Sequence, residues 1–183
     1  MDNGHTHYVQ SSGLPELKEA CRELTWRSRG FKPKDRQILV TSGANIQIYL
    51  AILSLINPGE EVIIPNPSFV SYSSIIKACR GIPVEIDLTE EGAFKIDPDK
   101  LRPLITKKTK AIIITSPHNP TGSVLTKIQV NKIYEIAEEF DLVLISDEVY
   151  GRMIFSDSSS GFHSPSTFDN CLKRVILVNS LSK

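Results

Sequence analysis

The sequence predicts an α/β fold, a mainly parallel sheet with helices on both of its faces. Three observations lead there. The candidate strands are apolar along their whole length, as in Ala111-Ile112-Ile113-Ile114-Thr115, which marks strands covered on both sides. They alternate along the chain with segments of helical periodicity, the order that parallel strands require. Polar residues able to do chemistry gather just after the strands, where open α/β sheets bind ligands.

Taken in order, Leu14, Leu17, Cys21 and Leu24 recur at helical spacing, with Pro15 suited to a first helical position and Gly30 placed to stop the helix. Ile38-Leu39-Val40-Thr41 reads as a short strand ending at Ser42-Gly43. The pattern turns helical over 44–56 and closes at Asn57-Pro58-Gly59. Val62-Ile63-Ile64 reads as a buried strand ending at Pro65. A helix over 70–79 follows, then a stop near Gly81 and a weaker strand at Val84-Glu85-Ile86. A further helix begins after Asp97-Pro98, ahead of the strand 111–115. Between 127 and 140, Ile128, Ile133, Ile136, Ala137 and Phe140 form the apolar face of an amphipathic helix. Leu142-Val143-Leu144-Ile145 and Val175-Ile176-Leu177-Val178 are two further strands, and the Ser-rich stretch 156–169 between them reads as a surface loop. No internal repeat or dividing linker is visible, so 1–183 reads as part of one domain.

Composition narrows the possible partners. The 183 residues are 40% hydrophobic, enough for a substantial core. Lysine and arginine (21) balance aspartate and glutamate (21), so no field draws the chain to nucleic acid or an anionic membrane. Cys21, Cys79 and Cys171 are far apart and match no metal-ligand spacing. His5 and His7 have no third ligand suggested nearby, so no metal is expected. The polar start of the chain, Met1-Asp2-Asn3-Gly4-His5, has no apolar core of a signal peptide, and no apolar run is long enough to cross a bilayer. A cytoplasmic protein is expected.

The strand ends carry the chemistry. After 38–41 come Ser42-Gly43-Ala44-Asn45, and after 62–64 come Asn66-Pro67-Ser68-Phe69. After 111–115 come His118-Asn119-Pro120-Thr121-Gly122, after 142–146 come Asp147-Glu148-Val149-Tyr150, and after 175–179 come Ser180-Leu181-Ser182-Lys183. Gly43, Ala44 and Asn45 join a strand to a helix, where backbone N–H groups and the helix dipole can hold a phosphate. Asp147, at the end of a dry strand, can hold a proton on a ring nitrogen. Tyr150 and Asn119 can hydrogen-bond a ring hydroxyl, and Lys183 offers an amine for a Schiff base. Together these meet the needs of pyridoxal 5'-phosphate (PLP). Taken singly, each has a plainer reading: an ordinary acidic pair at Asp147-Glu148, a simple turn at Asn119-Pro120, a solvated lysine at 183. Their joint placement at successive strand ends favours the cofactor.

Ser116-Pro117-His118-Asn119-Pro120-Thr121-Gly122, Ser146-Asp147-Glu148-Val149-Tyr150 and Ser180-Leu181-Ser182-Lys183 resemble the class I/II PLP-dependent aminotransferases, which include the aspartate and aromatic aminotransferases. The resemblance extends over nearly the whole chain, including Tyr8, Gly13-Leu14-Pro15-Glu16-Leu17-Lys18 and Asn57-Pro58-Gly59-Glu60-Glu61-Val62. It implies that Lys183 binds the cofactor covalently and moves the substrate's proton. It also implies that Asp147 pairs with the pyridine nitrogen and that Tyr150 and Asn119 bind the ring oxygen. By the same resemblance Phe69 stacks on the ring, while Gly43, Ala44 and Asn45 hold the phosphate with the Ser180 hydroxyl. Tyr8 matches a tyrosine that reaches the phosphate of a neighbouring subunit, which implies a homodimer.

Family members are about twice this length. The expectation is therefore a partial PLP-binding large domain of the aspartate aminotransferase-like fold, over 1–183, without the small domain and its carboxylate-gripping arginine. Alone it is expected to be weak or inactive, and prone to associate through an uncovered sheet edge. The expected reaction is amino-group transfer between an amino acid and a 2-oxo acid. The alternatives are another PLP chemistry on the same scaffold, such as elimination or decarboxylation, and a non-catalytic role in dimerisation or regulation.

Overall fold

Proline and glycine bracket the first helix as their backbone chemistry requires. The computed structural model describes residues 6–155 and 161–183, and the chain divides into two compact units, Met1–Ser42 and Gly43–Lys183. In the first unit, α1 (Pro15–Arg29) starts with Pro15, whose missing N–H is not needed there. It ends at Gly30, which takes φ 80° and donates its N–H to the Trp26 carbonyl.

The apolar face expected of α1 is not what this helix buries. Leu14 and Leu24 stay exposed, and its buried residue is Lys18. The Lys18 ammonium donates to Asp35 Oδ2 at 2.8 Å and to Ser12 Oγ at 3.1 Å, the pairing that a buried charge needs. The strand expected at 38–41 is also absent. Ile38 has extended dihedrals (φ −117°, ψ 126°), and Val40 N–H reaches the Ser12 carbonyl at 2.9 Å. One such bond is not a ladder, and among the described residues no strand pairs with this segment. Gly13 permits the approach: at φ 117°, a Cβ there would lie 2.5 Å from Val40 Cβ.

Among its described residues the second unit holds five strands: β1 (Glu61–Asn66), β2 (Ile82–Asp87), β3 (Thr109–Thr115), β4 (Val143–Asp147) and β5 (Val175–Val178). They form one parallel sheet in the order β2-β1-β3-β4-β5. Pro65 lies inside β1 without breaking it. Glu61 N–H bonds the Lys108 carbonyl ahead of β3, so odd-numbered positions of β1 face β3. That ladder ends at Ile63, and the next odd position is Pro65, which has no N–H to give.

Alternate residues of each strand feed two cores. On one face Val62, Ile64, Ala111, Ile113, Ile145 and Val178 pack with Ile48 and Ile52 of α2 (Ala44–Leu55) and Tyr72 and Ile76 of α3 (Ser71–Ala78). On the other, Ile63, Ile112, Ile114 and Leu144 pack with Leu101 of α4 (Pro98–Leu101) and Val130, Ile133 and Ile136 of α5 (Lys127–Glu139). The expected helix after Asp97-Pro98 is short because Pro103 falls where a longer helix needs a donor, and the chain tightens into a 3-10 turn at Arg102–Leu104. A capping box starts α5: Thr126 Oγ1 accepts from Gln129 N–H at 3.2 Å, and Gln129 Oε1 accepts from Thr126 N–H at 3.0 Å.

Of the expected surface loop, 156–160 lies outside the described residues, and the rest is partly buried. Ser164 and Ser166 are 4% and 2% exposed, held in a turn by Ser166 N–H donating to Ser164 Oγ at 3.1 Å. No helix among the described residues is long and apolar enough to cross a membrane. The two-faced core sets a measurable stake at its centre. Ile113 is fully buried, so Ile113→Ala is expected to lower unfolding free energy by about 2–5 kcal/mol, read as a reduced urea midpoint at unchanged slope.

Candidate functional site

Because β3, β4 and β5 are parallel and in register, Thr115 pairs with Asp147 and Asp147 with Val178 at their carboxyl ends. The segments that leave these ends therefore start side by side. Asp147 closes β4 and is 7% exposed. One of its oxygens, Oδ2, accepts from the Tyr72 hydroxyl at 2.6 Å, and Oδ1 accepts from Val149 N–H at 3.2 Å. Burial pushes the Asp147 carboxyl above its ordinary range, while the Tyr72 and Val149 bonds pull it back part of the way.

Glu148 occupies an opposite environment. A strand turns successive side chains to opposite faces, and Glu148 is 2% exposed. Its Oε1 accepts from Ser146 Oγ at 3.1 Å and also from Ser164 Oγ. Ser164 Oγ lies 2.7 Å from Ser166 Oγ. The two neighbouring carboxylates thus separate into one that ties down a buried turn and one that keeps hydrogen-bonding capacity for a ligand.

Tyr150 follows in the loop after β4, and Asn119 in the loop after β3. Asn119 Nδ2 donates to Tyr150 Oη at 3.4 Å, so both polar ends point at one spot. The Lys183 ammonium lies 5.9 Å from the Tyr150 ring centroid, which brings the amine to the same cluster. His118, beside Asn119, bonds Thr121 Oγ1 through Nδ1 at 2.8 Å. Its Nε2 is buried without a well-formed hydrogen bond. Burial keeps the imidazole pKa below its usual value, outweighing the Pro67 carbonyl that acts the other way.

The remaining sequence-predicted residues lie at the start of α2, ahead of α3, after β5 and, for Tyr8, in the first unit. Gly43 precedes α2 at φ 131°, no side chain among the described residues caps the helix, and a Cβ at Gly43 would meet open space. Ala44 and Asn45 are the first two helical residues, whose N–H groups have no acceptor within a helix. Asn45 Oδ1 accepts from Ser71 Oγ at 3.1 Å. The end of β5 is tied to α2 where Asn179 N–H donates to Gln47 Oε1 at 3.3 Å, and Ser180 Oγ sits 2.7 Å from Ser182 Oγ. Phe69 meets Tyr72 edge-on, at 5.8 Å and 70°. Tyr8 belongs to the other unit and is fully exposed.

One functional candidate escaped sequence reasoning. Tyr72 is fully buried and touches both Asp147 and Thr115. The available signal was its spacing, three residues after Phe69 at the entry to α3, close enough for the two rings to meet.

The donor set suits a phosphate-bearing heteroaromatic ring. An uncapped helix start offers N–H groups to an anion. Asp147, already accepting two bonds, has lone pairs left for a ring N–H⁺. The family model described as aminotransferase class I and II matches residues 1–183. The chain belongs to the class I and II aminotransferases. It is 41% identical over 184 residues to an aspartate aminotransferase of Pyrococcus abyssi, covering 100% of this chain and 47% of that protein. A probable aspartate aminotransferase of Methanocaldococcus jannaschii is 42% identical over 183 residues, with the same coverage. Among solved structures, an aromatic aminotransferase from Pyrococcus horikoshii superposes with TM-score 0.95 at 40% identity, covering 100% of this chain and 48% of that one. An aspartate aminotransferase from Thermus thermophilus with maleate gives 0.93 at 32% identity, covering 100% and 46%. The chain thus spans about half the length of the relatives it matches.

Two outcomes follow from the site's geometry. The Asp147 pKa is raised in the folded state, so this group's stabilising contribution is complete below the ordinary aspartate range and is lost as pH climbs through the folded value. Asp147→Asn, which cannot titrate, should gain stability relative to wild type over that rise, with no further change above it. Urea melts at a series of pH values would register this, and a constant difference would refute it. Gly43→Val places a β-branched residue at a φ that L side chains resist, so its expected destabilisation is about 1–3 kcal/mol by the same melts.

Proposed function

We propose that this chain supplies the cofactor-binding part of an enzyme that moves an amino group between an amino acid and a 2-oxo acid with PLP. The observation that supports it best is the meeting of Asn119, Tyr150 and Lys183 in the segments that leave β3, β4 and β5, with Asn119 Nδ2 3.4 Å from Tyr150 Oη and Lys183 Nζ 5.9 Å from the Tyr150 ring centroid, and with Asp147 at the end of β4. When bound, PLP supplies an electron-accepting ring conjugated to the carbon that carries the transferred amino group.

The chain's own residues do the rest. Gly43, Ala44 and Asn45 offer backbone N–H groups and the positive end of α2 to the phosphate, with the Ser180 hydroxyl as a further donor. Asp147 holds a proton at the ring nitrogen, which keeps the ring able to accept electrons. Asn119 and Tyr150 hold the ring oxygen, and Phe69 covers a ring face. Lys183 would anchor the cofactor and then move a proton between the substrate's α-carbon and the cofactor, a transfer for which its amine must be neutral. Tyr8 would serve the phosphate of a second copy in a homodimer. A reducing, cytoplasmic setting is proposed with it, in keeping with three free cysteines.

An absorbance titration of the purified chain with PLP, beside Lys183→Ala, tests the reading. The wild type should develop a band distinct from free PLP that borohydride fixes onto Lys183, and the variant should not. Identical behaviour of the two proteins would remove the cofactor from the proposal.

A further inference from the structure

Behind Asp147 lies a chain of hydroxyls that the reaction as proposed does not use. Tyr72 Oη is 2.6 Å from Asp147 Oδ2 and 2.9 Å from Thr115 Oγ1. All three residues are buried, at 0%, 7% and 4% exposure for Tyr72, Asp147 and Thr115. The directions follow from the proton count. An ionised carboxylate can only accept, so the single Tyr72 proton goes to Asp147 and the Thr115 proton must go to Tyr72. Burial and the neighbouring Asp147 push the Tyr72 phenol far above its ordinary pKa, so it remains a donor over the whole working range.

We propose that Tyr72 is a positioning residue that fixes the Asp147 carboxylate for the cofactor's ring nitrogen, with Thr115 fixing the Tyr72 hydroxyl in turn. The proposal rests on the reading that Asp147 meets that nitrogen. Its physical basis is the problem of a ligand-free site: a buried carboxylate without a cation tends to take up a proton. Among the described residues no lysine or arginine pairs with Asp147. What faces it is Tyr72 from α3, Thr115 beside it on β3, and its own loop's Val149 N–H. The other titratable group acting on the pair is Tyr150. A hydrogen bond to a charged acceptor is the stronger kind, so the Tyr72 phenol is the main group that opposes neutralisation.

The placement serves orientation as well. Tyr72 N–H donates to the Phe69 carbonyl at 3.1 Å, and the Phe69 ring meets the Tyr72 ring edge-on. One turn of chain therefore fixes both the aromatic proposed to cover the ring and the group that aims the carboxylate. A purely structural tyrosine would need only its ring in the core. This one puts its hydroxyl between the ends of two strands.

The test reads Asp147 directly in ligand-free protein. Aspartate labelled with ¹³C at the carboxyl is followed by NMR against pH in wild type, Tyr72→Phe and Thr115→Val, with Asp147→Asn identifying the signal. Tyr72→Phe should raise the Asp147 midpoint by about one pH unit or more, the worth of one charge-assisted hydrogen bond. Thr115→Val should move it less, in the same direction. An unmoved midpoint in a Tyr72→Phe chain with native circular dichroism overturns the proposal. If that variant does not fold, an unmoved midpoint in Thr115→Val does so. With ¹⁵N-labelled PLP, the ring-nitrogen shift should indicate less protonation in Tyr72→Phe than in wild type. A wild-type chain that takes up no PLP overturns the cofactor reading and the ring-nitrogen role with it. An unmoved Asp147 in a chain that does take up PLP overturns the Tyr72 role alone.

Discussion

A parallel sheet buried on both faces leaves its polar side chains one place to go. Along β1, β3 and β4 every second residue enters one core and its neighbour the other, so a charged group in mid-strand would be desolvated with no partner. Polar residues can enter only where the strands stop and the covering helices begin. In-register pairing of β3, β4 and β5 then brings those ends together. The site is a consequence of the core. The apolar interior confines functional groups to one rim, and the parallel ladder makes that rim narrow enough for residues far apart in sequence to meet.

At that rim, local dielectric and hydrogen bonding give different uses to similar groups. Asp147 and Glu148 are adjacent carboxylates, yet the pleat sends them to opposite environments. Glu148 meets hydroxyls of Ser146 and Ser164 and is committed to holding a turn in place. Asp147 meets one phenol and one amide, which is too little to offset its burial fully, so its proton affinity rises. A carboxylate in that condition is ready for a cationic partner, because an N–H⁺ group would remove the desolvation penalty that the protein leaves in place.

Most of the architecture was legible because its signals are local. Ala111-Ile112-Ile113-Ile114 is too apolar for anything but a strand covered on both sides, and Ile133, Ile136 and Ala137 recur at the spacing of the helix α5. The misreadings came where a distant residue decides. Ile38 to Thr41 has the composition of a strand, but strands exist through their neighbours, and composition does not name one. Lys18 stands inside an apolar helical pattern and is buried because Asp35 and Ser12 come to meet its ammonium. Ser164 and Ser166 look like loop residues and are buried because Glu148 takes the Ser164 hydroxyl and Ser166 bonds Ser164 in turn. Tyr72 read as part of an ordinary helix, since nothing in its own segment names Asp147, 75 positions away.

The sequence by itself determined the family, five of the six expected strands with the helices between them, and the residues that follow those five, because these depend on composition and short-range spacing. Tertiary structure alone decided which of those residues share a site and what their charges do there. The reason is physical: proton affinity and orientation are set by neighbours within a few ångströms, and in a sheet of order β2-β1-β3-β4-β5 those neighbours come from distant parts of the chain. The motif marks Asp147 as a carboxylate at the end of β4. Its burial, the phenol of Tyr72 behind it and the amine of Lys183 beside Tyr150 exist only once the strands have paired.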